Sequence, residues 1–76
     1  MTSEEQVKRI KSQNAAYLLQ RPGVSGIGVE KAENGDFVLA VHLDPAFPEA
    51  SEAVDHRLQN CGCQVRKYFS GPFTKQ

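Results

Sequence analysis

Residues 24–44 carry the strongest fold signal in the chain, and they read VSGIGVEKAENGDFVLAVHLD. Two stretches rich in β-branched and aromatic residues, 24–32 and 37–44, flank a short polar segment that contains Asn34-Gly35. Asn-Gly between two such stretches is a strong signal for a β-hairpin, because both residues tolerate the positive φ angles of tight turns. The sequence therefore predicts two antiparallel strands.

Two loop lengths compete in this hairpin, and they give different registers. A two-residue loop, Asn34-Gly35, would place Ile27 opposite His42. A three-residue loop over 33–35, with Gly35 left-handed, would place Ile27 opposite Val41. A shift of one residue turns a whole apolar row to the wrong face of the sheet. We therefore expect the three-residue loop.

Helical periodicity predicts one helix on each side of the hairpin. Residues 3–20 carry apolar side chains at helical spacing after a capping Thr2 or Ser3, and Pro22 ends that helix. A second helix is expected from Pro48 to about Asn60. Residues 63–69 then follow as a third strand, with alternating side chains on its two faces.

This order of elements predicts an α+β fold, a two-layer α-β-β-α-β sandwich with both helices on one face of a three-stranded sheet. The crossover between the second and third strands is expected to be right-handed. The sequence leaves open whether the third strand lies beside the first or the second. We expect one small domain over residues 1–76, with residues 1–2 and 73–76 loose.

The first strand and its approach also carry a family resemblance. Residues 19–29, LQRPGVSGIGV, resemble the opening of a family of small, mostly uncharacterised α/β domains with a PGVxGxGxG segment. Such domains are found alone or beside larger domains, including trypsin-like ones. Gly62 and Val65 are similar to the family's GxxV element and Gly71 to its closing glycine, whereas Glu30 replaces the last glycine of the segment. The resemblance covers roughly residues 18–72 and implies a fold without any catalytic residue.

Composition excludes several classes of function. Nine Lys and Arg residues balance nine Asp and Glu residues, so the formal net charge is zero. This balance argues against binding nucleic acid or a membrane surface through bulk positive charge. The apolar runs are too short for a membrane span, and the polar, acidic start does not resemble a secretory signal. We expect a cytoplasmic protein that binds neither nucleic acid nor membrane.

Cys61-Gly62-Cys63 is the most chemically suggestive triplet in the chain. Two thiolates with His56 could ligate a soft metal, and the two cysteines could also form a redox couple. A single Cys-x-Cys supplies only two ligands, however, whereas structural zinc sites use four. We expect both cysteines to act as small hydrophobic residues and predict no metal or other cofactor.

Catalysis is not expected from this chain. A nucleophilic enzyme needs a base oriented beside Ser or Cys, and neither His42 nor His56 stands at a spacing that indicates such a pair. The glycines at 26 and 28 do not match a dinucleotide fingerprint, because the third glycine position is Lys31 and a strand follows rather than a helix. We therefore predict a non-enzymatic protein.

The predicted functional surface is the face of the sheet that the helices leave open. Its members are expected to be Val24, Gly26, Gly28, Val38, Ala40, His42, Arg66 and Tyr68. The centre of this set is too apolar for a fully solvated antiparallel face. We therefore expect an interaction module that forms a homodimer or binds another protein through this face. The alternatives are a metal-binding or thiol-redox protein and a small-ligand-binding regulatory domain.

Overall fold

The structure is a computed structural model that describes residues 2–69. Its elements follow the predicted order and confirm the α+β class. They are helix α1 (Glu4–Leu19), strand β1 (Val24–Lys31), strand β2 (Phe37–Leu43), helix α2 (Pro48–Leu58) and strand β3 (Val65–Phe69). The predicted loose end at 73–76 and the closing Gly71 of the resemblance lie outside the described residues.

Thr2 is tied to the fold, although the sequence suggested a loose start. Its carbonyl oxygen accepts a hydrogen bond of 3.2 Å from the backbone N–H of Phe37, the first residue of β2. Helix α1 begins directly afterwards, where the Ser3 hydroxyl accepts a bond from the backbone N–H of Gln6. This cap satisfies one of the N–H groups that have no partner inside a helix.

The hairpin has the register expected from the three-residue loop. Ile27 pairs with Val41, and Gly35 has a φ of +93°. The backbone N–H of Gly35 donates to the carbonyl of Ala32 at 3.0 Å, and the N–H of Ala32 donates to the carbonyl of Asp36 at 2.7 Å. These bonds close the turn and fix which side chains of β1 and β2 share a face.

Strand β3 lies beside β2 and runs parallel to it, so the sheet order is β1-β2-β3 with β2 in the centre. This placement settles the alternative that the sequence left open. A side-chain contact ties β3 to the helix layer, because the Lys67 ammonium donates to Ser51 and Asp55 of α2, each at 2.9 Å. β3 begins at Val65 rather than at Cys63, since the turn after α2 extends through Gln64.

The hydrophobic core lies between the helices and one face of the sheet. α1, α2, β1 and β2 all contribute to it, and its fully covered side chains include Val7, Leu18, Leu39, Val41 and Val54. Burying an aliphatic side chain of this size stabilises a fold by about 1.5–3 kcal/mol. Both helices lie on this side, and no helix or strand of residues 2–69 packs on the opposite face of the sheet.

Candidate functional site

We call the helix-free side of the sheet the outer face. Strand pairing places seven of the eight predicted interface residues on it: Gly26, Gly28, Val38, Ala40, His42, Arg66 and Tyr68. Gly26 pairs with His42, and His42 in turn pairs with Tyr68, so one row crosses all three strands.

Val24, the eighth predicted residue, belongs to the core instead. It is 8% exposed and packs with the buried cluster under the helices. The reason is an irregularity in the strand, because Val24 pairs with Leu43 while Gly26 pairs with the adjacent His42. A bulge at Ser25 therefore breaks the simple alternation on which the prediction relied.

A polar cluster that spans the sheet dominates the outer face. The Tyr68 hydroxyl on β3 donates a hydrogen bond of 2.6 Å to a carboxylate oxygen of Glu30 on β1. Arg66 approaches the same oxygen at 3.6 Å. On the other side, the Tyr68 ring stacks on His42 with centroids 5.2 Å apart and an angle of 18° between the planes.

The apolar centre of the outer face is not on the molecular surface. Tyr68 pairs with His42 and Glu30 pairs with Val38, so a line from Tyr68 to Glu30 crosses β2 at Ala40. Val38 and Ala40 are each only 1% exposed. The expectation of an exposed apolar centre is therefore wrong, and the exposed side chains of this face are polar ones such as Arg66 and Glu30.

Beside the cluster lies a strip of the sheet without side chains. A Cβ atom added at Gly28 would meet no heavy atom of the described residues within 4 Å, and the atoms nearest to one added at Gly26 belong to the His42 side chain, at 3.7–4.0 Å. Another molecule can therefore approach the backbone of β1 closely here.

Sequence reasoning missed Glu30, although the signal was available. Period-two alternation along β1 puts Glu30 on the same face as Gly26 and Gly28. Only the parallel pairing of β3 shows that Tyr68 and Arg66 converge on its carboxylate.

A second cluster missed by the sequence analysis joins the two helices. Asn14 of α1 is 9% exposed, and its side-chain oxygen accepts a bond of 2.8 Å from Arg57 of α2. The Arg57 guanidinium also lies 4.4 Å from the centroid of the Tyr17 ring. The apolar stripe that helical spacing predicts over residues 3–20 includes Val7, Ile10, Tyr17 and Leu18, but Tyr17 is 41% exposed and packs on Arg57 at the surface. The available signal was one polar residue, Asn14, in an otherwise apolar stripe.

The cysteine pair lies at the turn between α2 and β3. The two sulfur atoms are 3.7 Å apart, and both thiols are half-buried. Burial, and then the neighbouring Cys61 thiol, raise the pKa of Cys63 from 9.0 to about 11. His56 does not complete a metal site with them, since no three His, Cys, Asp or Glu side chains come together as ligands within residues 2–69.

None of the helices in the described part of the chain has the length and apolar character needed to cross a bilayer. Comparisons with protein-family models, curated proteins and solved structures found no match to this chain. The resemblance to the PGVxGxGxG domains consequently stays a prediction, and the geometry of the outer face carries the functional argument.

Proposed function

We propose that the protein is a non-enzymatic interaction module that binds a second copy of itself through the outer face, in a two-fold symmetric dimer. The observation that carries this proposal is the cluster of Tyr68, Glu30 and Arg66, which orders the face in the single chain. A surface whose side chains are already held in place loses less conformational entropy when it binds.

The charges on this face favour a second copy as the partner. The side chains of Arg66 and Glu30 are 47% and 38% exposed, so both retain surface available to a partner. A two-fold axis brings the same patch of both copies together, which allows Arg66 of each copy to approach Glu30 of the other. The formal net charge of zero adds no long-range repulsion between the copies.

The shape of the face supports the same arrangement. The strip at Gly26 and Gly28 allows close approach, and the stacked rings of His42 and Tyr68 stand beside it as a rigid aromatic surface. Tyrosine and arginine are enriched among residues that dominate binding energy at interfaces. We therefore expect the aromatic stack of one copy to pack over the glycine strip of the other.

The size of the face indicates a weak dimer. Strand spacing and rise give a patch of roughly 23 by 14 Å, or ~300 Å² per copy. Stable complexes bury about 800 Å² per partner, so we expect dissociation in the micromolar range or above. Association must therefore be measured over a wide concentration range.

The direct test compares two variants that each add one lysine. Gly28→Lys places a long side chain on the outer face, and its Cβ meets no atom of residues 2–69 within 4 Å. Ser12→Lys adds the same charge on the exposed side of α1 and serves as the control. In sedimentation equilibrium from ~10 μM to ~1 mM, we expect the native chain and Ser12→Lys to dimerise and Gly28→Lys to stay monomeric. A native chain that is monomeric throughout, or a dimer that Gly28→Lys leaves intact, would contradict the proposal.

Charge reversal tests the two-fold arrangement itself. Arg66→Glu and Glu30→Arg each leave two like charges on the face, so each variant should fail to self-associate. A mixture of the two variants should associate, because each then meets a face of opposite charge. Association of either variant alone at native strength would show that the contact lies elsewhere, for instance at the edge of β1.

A cytoplasmic location is part of the same proposal. It is supported by two free, closely spaced thiols, since thiols remain reduced in the cytosol and form disulfides in oxidising compartments. Rapid alkylation of cell fractions should find the protein with both thiols free in the cytosolic fraction. Recovery of the protein mainly in a secreted, oxidised fraction would overturn this placement.

A further inference from the structure

The turn after α2 brings two thiols together. Gly62 has a φ of +96°, in the left-handed region that glycine adopts without strain. In an extended strand, side chains at i and i+2 stand about 6.6 Å apart, twice the rise per residue. Here the sulfur atoms of Cys61 and Cys63 are only 3.7 Å apart, and the Cys61 sulfur is 3.4 Å from the Cys63 carbonyl oxygen.

The fold holds this pair in place and leaves it accessible. Both cysteines are half-buried and pack against the hydrophobic core, which limits the rotamers of each side chain. Cys63 also lines a shallow depression between the start of β2 and the turn, together with Thr2, Phe37 and Gln64. A small molecule can therefore reach Cys63 from this side, and it can reach Cys61 from a second depression, which Cys61 lines with Asn14 and Arg57.

We propose that Cys61 and Cys63 form a redox-active dithiol whose substrates are small disulfides, and which closes to an intramolecular disulfide by thiol–disulfide exchange. This activity is separate from dimer formation through the outer face, because the pair lies at the turn between α2 and β3 and not on that face.

The exchange proceeds in two balanced steps. The Cys61 thiolate attacks one sulfur of a disulfide RSSR, which forms a mixed disulfide and releases RS⁻. The Cys63 thiol then loses its proton and attacks the Cys61 sulfur, which forms the Cys61–Cys63 bond and releases the second RS⁻. The protein loses two electrons and two protons, and RSSR is reduced to two RSH.

The surroundings of the two cysteines assign their order. Burial raises the pKa of Cys63 to about 11 and so disfavours its thiolate, and we assign the first attack to Cys61 for this reason. Cys63 acts in the second step, where its sulfur already lies 3.7 Å from that of Cys61 and the attack is intramolecular.

The experiment equilibrates the full chain in mixtures of oxidised and reduced glutathione, quenches with acid, alkylates the free thiols and measures intact mass. A peptide of residues 59–65 is the control for the same Cys-Gly-Cys spacing without the fold. We expect the oxidised native chain to take up neither alkylating reagent nor glutathione. Its mass should be that of the reduced, unalkylated chain minus two hydrogen atoms. Its equilibrium constant for closure should exceed that of the peptide by about tenfold, since the fold already orders both side chains.

Single variants separate the two roles. Cys63→Ser should stop at a stable glutathione adduct on Cys61, and Cys61→Ser should form its adduct on Cys63 more slowly. The proposal is overturned if the native chain accumulates glutathione adducts, if it forms disulfide-linked dimers, or if it closes no more readily than the peptide. None of these outcomes bears on the Gly28→Lys test of the outer face, so the two proposals fail independently.

Discussion

At the scale of single residues, glycines with the same backbone conformation sit in very different surroundings. Gly23 and Gly35 have φ angles of +94° and +93°. A Cβ at Gly23 would lie 2.5 Å from the Cβ of Phe47 and 2.9 Å from that of Ala50, whereas one at Gly35 would meet no atom of residues 2–69 within 4 Å. Gly23 is therefore needed both for its backbone conformation and for the close approach of β1 to the start of α2.

These surroundings predict that substitution by alanine destabilises the fold more at Gly23 than at Gly35. Gly35→Ala should lower the free energy of unfolding by about 1–2 kcal/mol, the cost of a side chain in the left-handed region. Gly23→Ala adds an overlap with Phe47 and Ala50 to that cost, and overpacking contributes roughly another 1–3 kcal/mol. Urea denaturation followed by circular dichroism measures both values.

Gly28→Ala is the matched control for this series. Its φ is not positive and its Cβ has room, so its free energy of unfolding should stay within about 0.5 kcal/mol of the native value or rise slightly. A Gly23→Ala chain as stable as Gly28→Ala would show that Phe47 and α2 do not lie against Gly23.

At the scale of elements, β2 is covered on both faces and both edges. Val38, Leu39, Ala40 and Val41 are each at most 1% exposed, and β1 and β3 pair with β2 on either side. Leu39 pairs with Val29 and Val65, so its surroundings on the helix side are apolar. Val41 pairs with Lys67, whose ammonium could partly compensate a charge placed there.

Leu39→Asp should therefore unfold the domain. An unpaired carboxylate buried among apolar side chains costs several kcal/mol, which is comparable to the whole stability of a chain this short. The circular dichroism spectrum at room temperature should be that of an unfolded chain. Val41→Asp should also be severely destabilising, but less so, because Lys67 is its neighbour.

His42→Asp controls for the introduction of a charge into β2. His42 lies on the outer face, is only half-buried, and loses no more than its stack with Tyr68, worth about 0.5–1.5 kcal/mol. This variant should keep its fold and a cooperative thermal transition. If Leu39→Asp melts like His42→Asp, the two faces of the sheet are assigned the wrong way round.

At the scale of the whole molecule, polar contacts join the two helices that lie over the shared core. Asn14 donates to the carbonyl of Ile10 at 2.7 Å within α1 and accepts from Arg57 of α2 at 2.8 Å. Tyr17 packs on the same guanidinium. This contact sets the position of α2 relative to α1 at the surface, above the shared core.

Asn14→Ala should lower the free energy of unfolding by about 1–3 kcal/mol, because it removes one partner of a hydrogen bond to a charged group in a largely buried position. A double-mutant cycle with Arg57→Ala should give a coupling energy of about 1 kcal/mol. Gln13→Ala, an exposed neighbour on α1, should change stability by less than about 0.5 kcal/mol. Strict additivity of Asn14→Ala and Arg57→Ala would mean that the two side chains do not interact in solution.

Local chemistry in the sequence determined the order of the elements, the three-residue loop at Gly35 and the register of the hairpin. Each of these follows from contacts between residues close in the chain or from the alternation of one strand. Long-range placement was decided only by the tertiary structure. The bulge at Ser25, which moves Val24 into the core, and the parallel pairing of β3 with β2 both depend on packing against elements distant in sequence. For the same reason the Tyr68–Glu30 bond, which joins residues 38 positions apart across β2, could not be predicted from any periodicity in the sequence.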